Sequence, residues 1–134
     1  MPSKIVIDTN VWISYFISKR FLEITQLIID SDCQVFTCEE LIDEIIDVIS
    51  RKKFKNQVTF PIDFYIQLHK KLTTYQKIQI QFTGSPDLKD DFLYDLAIQT
   101  NSKILVTDDK KLLAFKNIYA EAISLASFKM INRK

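Results

Sequence analysis

Lys103-Ile104-Leu105-Val106-Thr107 is apolar through its centre and runs straight into Asp108-Asp109. A strand with one wet face alternates polar and apolar residues. A strand covered on both faces reads as a continuous apolar run instead. The stretch therefore asks for a parallel sheet with helices on each side. Lys4-Ile5-Val6-Ile7-Asp8 has the same build and is again closed by an acid. Around these two, strand-like and helix-like stretches alternate, the order expected of crossovers that lay helices over a parallel sheet.

Strands are expected at 4–8, 34–37, 77–82 and 103–107, with a weaker one near 118–123. KIQIQF, 77–82, alternates as a half-buried strand does. Helices are expected over 11–18, 21–30, 39–50 and 90–101, and from Pro61 to about Tyr75, since proline suits a first helical turn. A short helix follows from about Asp109, a helical turn closes the chain, and TGSPDLK, 83–89, is a loop. With 134 residues, 47% hydrophobic and 26% charged, the chain suits one folded domain spanning 1–134.

Several chemistries are excluded. Gly84 is the only glycine. A dinucleotide or P-loop fingerprint needs several, because backbone amides must approach the phosphates closely. His69 is the only histidine, read here on a surface helix beside Lys70 and Lys71. Histidine-based nucleophilic catalysis would rest on it alone. Cys33 and Cys38 are too few to staple a secreted domain and have no partners for a zinc site, so they read as free thiols in a reducing compartment. No secretory pattern opens the chain, and no apolar run approaches the ~20 residues of a membrane span. A soluble, cytoplasmic protein is expected. The net charge of +1 announces no global basic field. Local patches at Arg51-Lys52-Lys53-Phe54-Lys55, Lys70-Lys71 and Lys110-Lys111 are either solvated faces or contacts for nucleic acid.

The acids are the remaining signal. In helix 39–50, at roughly 100° per residue, Glu44 falls about 40° from Val48 and about 60° from Leu41. That puts it at the edge of the apolar arc, while Glu40, Asp43 and Asp47 lie farther out. Function and a boundary salt bridge both fit Glu44. In helix 90–101, Asp90 falls about 20° from Ala97, while Asp91 and Asp95 point farther from the apolar face. Asp90 could equally be a helix cap, as could Asp8 and Asp109. Taken together, two acids at strand ends and two on helix edges could converge. Unpaired carboxylates that close repel one another, and a divalent cation removes that cost. Clustered carboxylate oxygens without His or Cys suit Mg²⁺ or Mn²⁺.

Asp8-Thr9-Asn10, the Glu44 helix, DLKDDFLYDLA (87–97) and LVTDDKKLL (105–113) together resemble the PIN-domain family, most of all its toxin components of bacterial and archaeal toxin–antitoxin systems. The resemblance runs from residue 4 to about 113. It implies a three-layer α/β/α sandwich around a central, mostly parallel, twisted sheet of about four to five strands. It implies a Mg²⁺- or Mn²⁺-dependent endoribonuclease leaving 5′-phosphate and 3′-hydroxyl ends. Asp8, Glu44, Asp90 and Asp109 fall on the family's four catalytic and metal-binding acids. Thr9, Asn10, Ser14 and Thr107 fall on supporting polar positions, and Arg51, Lys52 and Lys53 form the best patch for an RNA backbone. Many relatives carry glycine where Asp108 stands, so either Asp108 or Asp109 could face the metal. The resemblance also implies an antitoxin protein encoded elsewhere and a homodimer.

Two other readings compete. A phosphotransfer enzyme or receiver on a similar sheet lacks its required acids, since Asn10 stands where a second Asp would act and Asp8 has no acidic partner beside it. The alternative within the fold is a catalytically inactive PIN-like interaction module. Retention of all four acids argues against it.

Overall fold

The computed structural model describes residues 3–79 and 88–131. β-branched and aliphatic residues build the sheet: β1 (Lys4–Ile7), β2 (Gln34–Thr37), β3 (Thr74–Tyr75), β4 (Ile104–Val106) and β5 (Glu121–Ile123). The order is β3-β2-β1-β4-β5, with every pairing parallel. Among the described residues seven helices flank it: α1 (Thr9–Ile17), α2 (Phe21–Ser31), α3 (Glu39–Ile49), α4 (Ile62–Leu72), α5 (Asp91–Thr100), α6 (Lys110–Ala114) and α7 (Leu125–Ile131). This is the α/β/α sandwich expected from the sequence. None of these helices is long and apolar enough to cross a membrane.

Ile5, Val6, Leu105 and Val106 are fully buried, as their uninterrupted apolar runs require. α1 packs against α2 and α3, and α5 lies across β1, β2 and β4. Trp12 and Phe16 of α1 carry much of the core, with Phe16 against Tyr65 of α4 at 5.0 Å between ring centroids. The shortage of glycine shows at helix ends. Asp32 and Asn101 close α2 and α5 in the left-handed conformation, at φ 54° and 59°. After glycine, these residue types tolerate that region best.

Four local expectations are corrected. The helix expected from Pro61 to about Tyr75 stops at Leu72. Thr73 is extended, and its hydroxyl donates to the His69 carbonyl at 2.7 Å, so the chain turns into edge strand β3. Residues 77–79 of the expected strand 77–82 form no ladder, and 80–82 lie outside the described residues. The Gln99 side-chain amide bonds there instead, accepting from Gln79 N and donating to the Lys77 carbonyl. Of the expected loop 83–89, the described part enters a 3₁₀ turn, Leu88–Asp90. Asp95 is buried, although the helical projection placed it away from the apolar face. α5 crosses the sheet with more than one side covered, so one stripe does not describe it.

His69 is the fifth correction. It is fully buried, because α4 turns Tyr65, Ile66 and His69 inward at helical spacing while Lys70 stays exposed. Its Nε2 lies 2.8 Å from Thr37 Oγ1, and its ring meets Trp12 edge-on at 4.3 Å. Burial first, and the nearby Lys70 ammonium second, push its pKa down to about 3 from an ordinary 6.5. The unfolded chain therefore takes up a proton that the folded chain refuses. Stability present above pH 6.5 is lost as pH falls toward 3. By pH 5 the loss is on the order of 2 kcal/mol. Urea unfolding of wild type and His69→Phe between pH 7 and 5 checks this. The carboxylates titrate in both proteins, so the wild type should lose more stability across that range, whatever the absolute stability of the variant.

Candidate functional site

β1 and β4 lie side by side at the point where the strand order turns back on itself, β2 lying to one side and β5 to the other. In open parallel sheets such a switch point leaves a crevice beyond the carboxyl ends of the strands. Asp8 and Thr107 follow β1 and β4 directly into it.

Asp8 is held from three directions. Its N–H donates to the Val106 carbonyl at 2.8 Å, carrying the sheet one residue farther. Its carbonyl accepts from Val11 N at 3.0 Å and starts α1. Its side chain stands at the N-cap position yet makes no cap hydrogen bond. Oδ2 instead accepts from Thr107 Oγ1 at 2.7 Å. Burial raises the Asp8 pKa and the Asp109 charge raises it further, against the Thr107 hydroxyl and the N–H groups of Asn10 and Thr9.

Thr107 Oγ1 serves a second partner, accepting from Asp109 N at 3.1 Å. One buried hydroxyl thus links the Asp8 carboxylate to the backbone of Asp109. Asp109 Oδ1 caps α6 by accepting from Lys111 N at 2.9 Å. Asp109 is therefore a cap and also the acid whose charge reaches Asp8. Asp108 turns away, its Oδ1 accepting from Leu125 N at 3.1 Å where α7 begins. Of the two acids, Asp109 is the one tied to the hydroxyl that holds Asp8 and the one whose charge raises it.

Glu44 sits half-buried on the edge of α3. Burial raises its pKa first and Asp8 second, while Arg51 and Lys89 pull it back. The ion pairs among the described residues, Arg20–Glu23 and Arg51–Asp47, include none of Asp8, Glu44 and Asp109. The boundary salt bridge considered for Glu44 does not form among them. Asp90 occupies the N-cap position of α5 without a side-chain cap bond.

Tyr94, one turn after Asp90, is a residue that the sequence pattern did not single out. It is fully buried, with its ring edge-on to Phe115 at 5.4 Å. Burial pushes its hydroxyl up to about 12, and the charges of Asp90, Asp8 and Asp109 all push in the same direction. Its hydroxyl thus feels three of the four acids. The available signal was its i+4 spacing from Asp90.

The supporting positions divide. Thr9 is fully buried, and among the described residues its Oγ1 has no hydrogen-bond partner. Asn10, Ser14, Arg51, Lys52 and Lys53 are exposed. Arg51 is engaged with Asp47 at 3.1 Å, and Lys53 lies over the Phe54 ring at 5.0 Å. Between α3 and the start of α5 opens a hollow of about 600 Å³, with Glu44, Asp47, Val48, Arg51, Lys89 and Phe92 in its walls. Among the described residues no three His, Cys, Asp or Glu side chains are gathered tightly enough to share one ion.

A family model described as a PIN domain matches residues 4–111. The chain belongs to the PIN-domain family. No curated protein matches the sequence. PIN domains are generally nucleases that use divalent metals, and the match covers every strand position and acid described above except β5.

The raised Asp8 pKa has a consequence for stability. A carboxyl whose folded pKa exceeds its unfolded value stabilises the fold below the ordinary 3.8, and that contribution is lost as pH rises through the raised value. Asp8→Asn keeps an acceptor for Thr107 and removes the buried charge. The variant should unfold at a higher temperature than wild type at pH 7, and the gap should close as pH approaches 3.8. Thermal melts by circular dichroism at several pH values measure it; a less stable variant at pH 7 would refute the account.

Proposed function

We propose that this chain is a metal-dependent endoribonuclease and the toxin of a type II toxin–antitoxin pair. The observation that carries the nuclease reading is the meeting of the Asp8 carboxylate and the Asp109 amide on one Thr107 hydroxyl at the switch point, with Glu44 on the flank feeling the Asp8 charge. Asp8, Glu44, Asp90 and Asp109 are the proposed catalytic and metal-binding residues. The toxin role rests on the resemblance of the segments around these acids to that subgroup. It brings with it an antitoxin partner and a homodimer. Leu22 and Ile29, exposed seven residues apart on α2, offer a second copy an apolar face.

The donor set fits a hard cation. Its ligands are carboxylate oxygens with no His or Cys beside them, which favours Mg²⁺ or Mn²⁺ over zinc. Burial is the first reason that the Asp8 and Glu44 pKa values are raised, and a neighbouring acid, Asp109 for Asp8 and Asp8 for Glu44, adds to each; a bound cation would relieve both. When bound, such an ion supplies charge neutralisation at the scissile phosphate and makes water a better nucleophile at neutral pH.

The chain's own residues do the rest. Thr107 holds Oδ2 of Asp8, fixing the direction of the carboxylate. The α6 cap fixes Asp109 in the same way. Lys89 and Arg51, on the wall of the hollow, are the cations that can meet a phosphate beside Glu44. Lys52 and Lys53 extend that cationic side along the 3₁₀ turn after α3. Contacts of this kind to an RNA backbone weaken as salt rises.

The test is cleavage of total RNA with added Mg²⁺ or Mn²⁺, wild type beside Asp8→Asn. Cutting by wild type alone is expected, with the variant down by at least roughly a hundredfold. Calorimetry with Mn²⁺ gives a second readout: wild type should bind and Asp8→Asn should bind weakly. A folded wild type that neither cuts RNA nor binds Mn²⁺ would leave the inactive interaction module as the better reading.

A further inference from the structure

A second cleft opens on the same carboxyl edge of the sheet, on the β2 and β3 side. It measures about 300 Å³ and is lined by Thr37, Glu39, Ile42, Lys70, Thr73 and Tyr75. Thr37 ends β2, one residue beyond the Val6–Phe36 pairing and therefore beside the strand that delivers Asp8. Adjacent strands lie about 4.8 Å apart, so one extended single strand can cover both places. We propose that this cleft is a base-recognition subsite for a guanine in single-stranded RNA, a reading that rests on the ribonuclease function above.

The chemistry of the lining carries the choice. Tyr75 is 53% exposed and stands in the lining of the cleft. An exposed ring beside a cleft is a stacking platform, and unstacked bases are commonly held this way. Lys70 is exposed and makes no ion pair among the described residues. It can donate to the acceptor edge of a purine, where guanine presents O6 and N7. Glu39, exposed at the start of α3, brings carboxylate acceptors to the cleft and also takes a hydrogen bond from the Tyr75 hydroxyl, so it stands beside the ring. Guanine places two adjacent donors, N1–H and the N2 amino group, on one edge. Uracil has one such donor, and adenine and cytosine present an amino group beside an acceptor.

The floor is built rather than incidental. Thr37 is buried, and its Oγ1 lies 2.8 Å from His69 Nε2. His69 is fully buried, and its Nδ1 has no partner among the described residues. Placing the ring hydrogen on Nδ1 would bury an unpaired donor, the costlier of the two tautomers. With the hydrogen on Nε2, the imidazole donates to Thr37 Oγ1. The threonine's own hydrogen is then free to face the cleft. The only histidine, idle in catalysis, thereby aims a hydroxyl at the bound base. Lys70, singled out in the sequence as part of a basic pair, gains a role beside it.

The test measures binding, with cleavage disabled by Asp8→Asn. Labelled single-stranded RNA hexamers, all uridine or with one central guanine or adenine, are titrated by fluorescence anisotropy at low salt. The guanine hexamer should bind roughly tenfold tighter than the others. Adding Glu39→Gln should bring the three affinities together. Adding Tyr75→Leu should weaken all three by roughly tenfold, with circular dichroism showing the fold kept. Equal affinities in the Asp8→Asn protein would overturn the guanine subsite and leave the ribonuclease reading standing. A guanine preference that survives Glu39→Gln, or hexamer affinities that Tyr75→Leu leaves unchanged, would place the base elsewhere and also overturn it. No binding of any hexamer would overturn it too, and the cleavage of total RNA then judges the nuclease separately.

Discussion

One hydroxyl joins residues 99 positions apart: Thr107 Oγ1 donates to Asp8 Oδ2 across the β1–β4 seam. Everything proposed for the site depends on that seam. A buried carboxylate is costly unless hydrogen-bonded, and the parallel pairing of β1 with β4 is what brings its donor into place. The same hydroxyl receives the Asp109 amide, so the turn after β4 is shaped around the side chain that ends β1. Asp109 is fixed by contacts two residues away on either side, whereas the Asp8 carboxylate is held from a distant part of the chain. Asp8 occupies a cap position and does not cap, because a stronger partner waits on the next strand.

The helices complete the arrangement through packing rather than through polar contacts. α3 is held by its apolar arc of Leu41, Ile42, Ile45 and Ile49, which leaves Glu44 at the boundary where it feels the Asp8 charge. α5 lies over the central strands and inserts Tyr94 among the acids. The result is a region in electrostatic tension, with carboxyl groups raised by burial and by one another. Such tension opposes stability and favours cation binding, the trade expected where a fold is shaped for chemistry rather than for maximal stability. The second cleft shares this sheet edge but not the tension, since its lining mixes one acid, one base and neutral hydroxyls.

Legibility in the sequence followed the range of the interactions. The runs 4–7 and 104–106 were readable as buried parallel strands because burial on both faces leaves a pattern within five residues. The position of Glu44 was readable because helical period alone sets its angle to Val48 and Leu41. Asp95 and His69 were misread for a shared reason: each sits on a helix whose buried surface is wider than its apolar stripe. Flanking lysines made His69 look exposed, although Tyr65 and Ile66 at helical spacing pointed inward with it. The short strand β3 escaped notice because its two exposed residues carry no burial pattern, and only pairing with β2 makes them a strand.

The sequence by itself determined the class of fold, named the acids proposed for the chemistry and lacks the glycines and histidines that several other chemistries use. Those follow from local periodicity, from one glycine and one histidine, and from acids at strand ends, all of which act over a few residues. Only the tertiary structure decided which of Asp108 and Asp109 is tied to the hydroxyl that holds Asp8, that Tyr94 lies among the acids, and that the single histidine supports a cleft two strands away from β4. These depend on strand order and helix docking. Burial and hydrogen-bond partners from distant parts of the chain set them, and no short stretch of sequence contains both sides of such a contact.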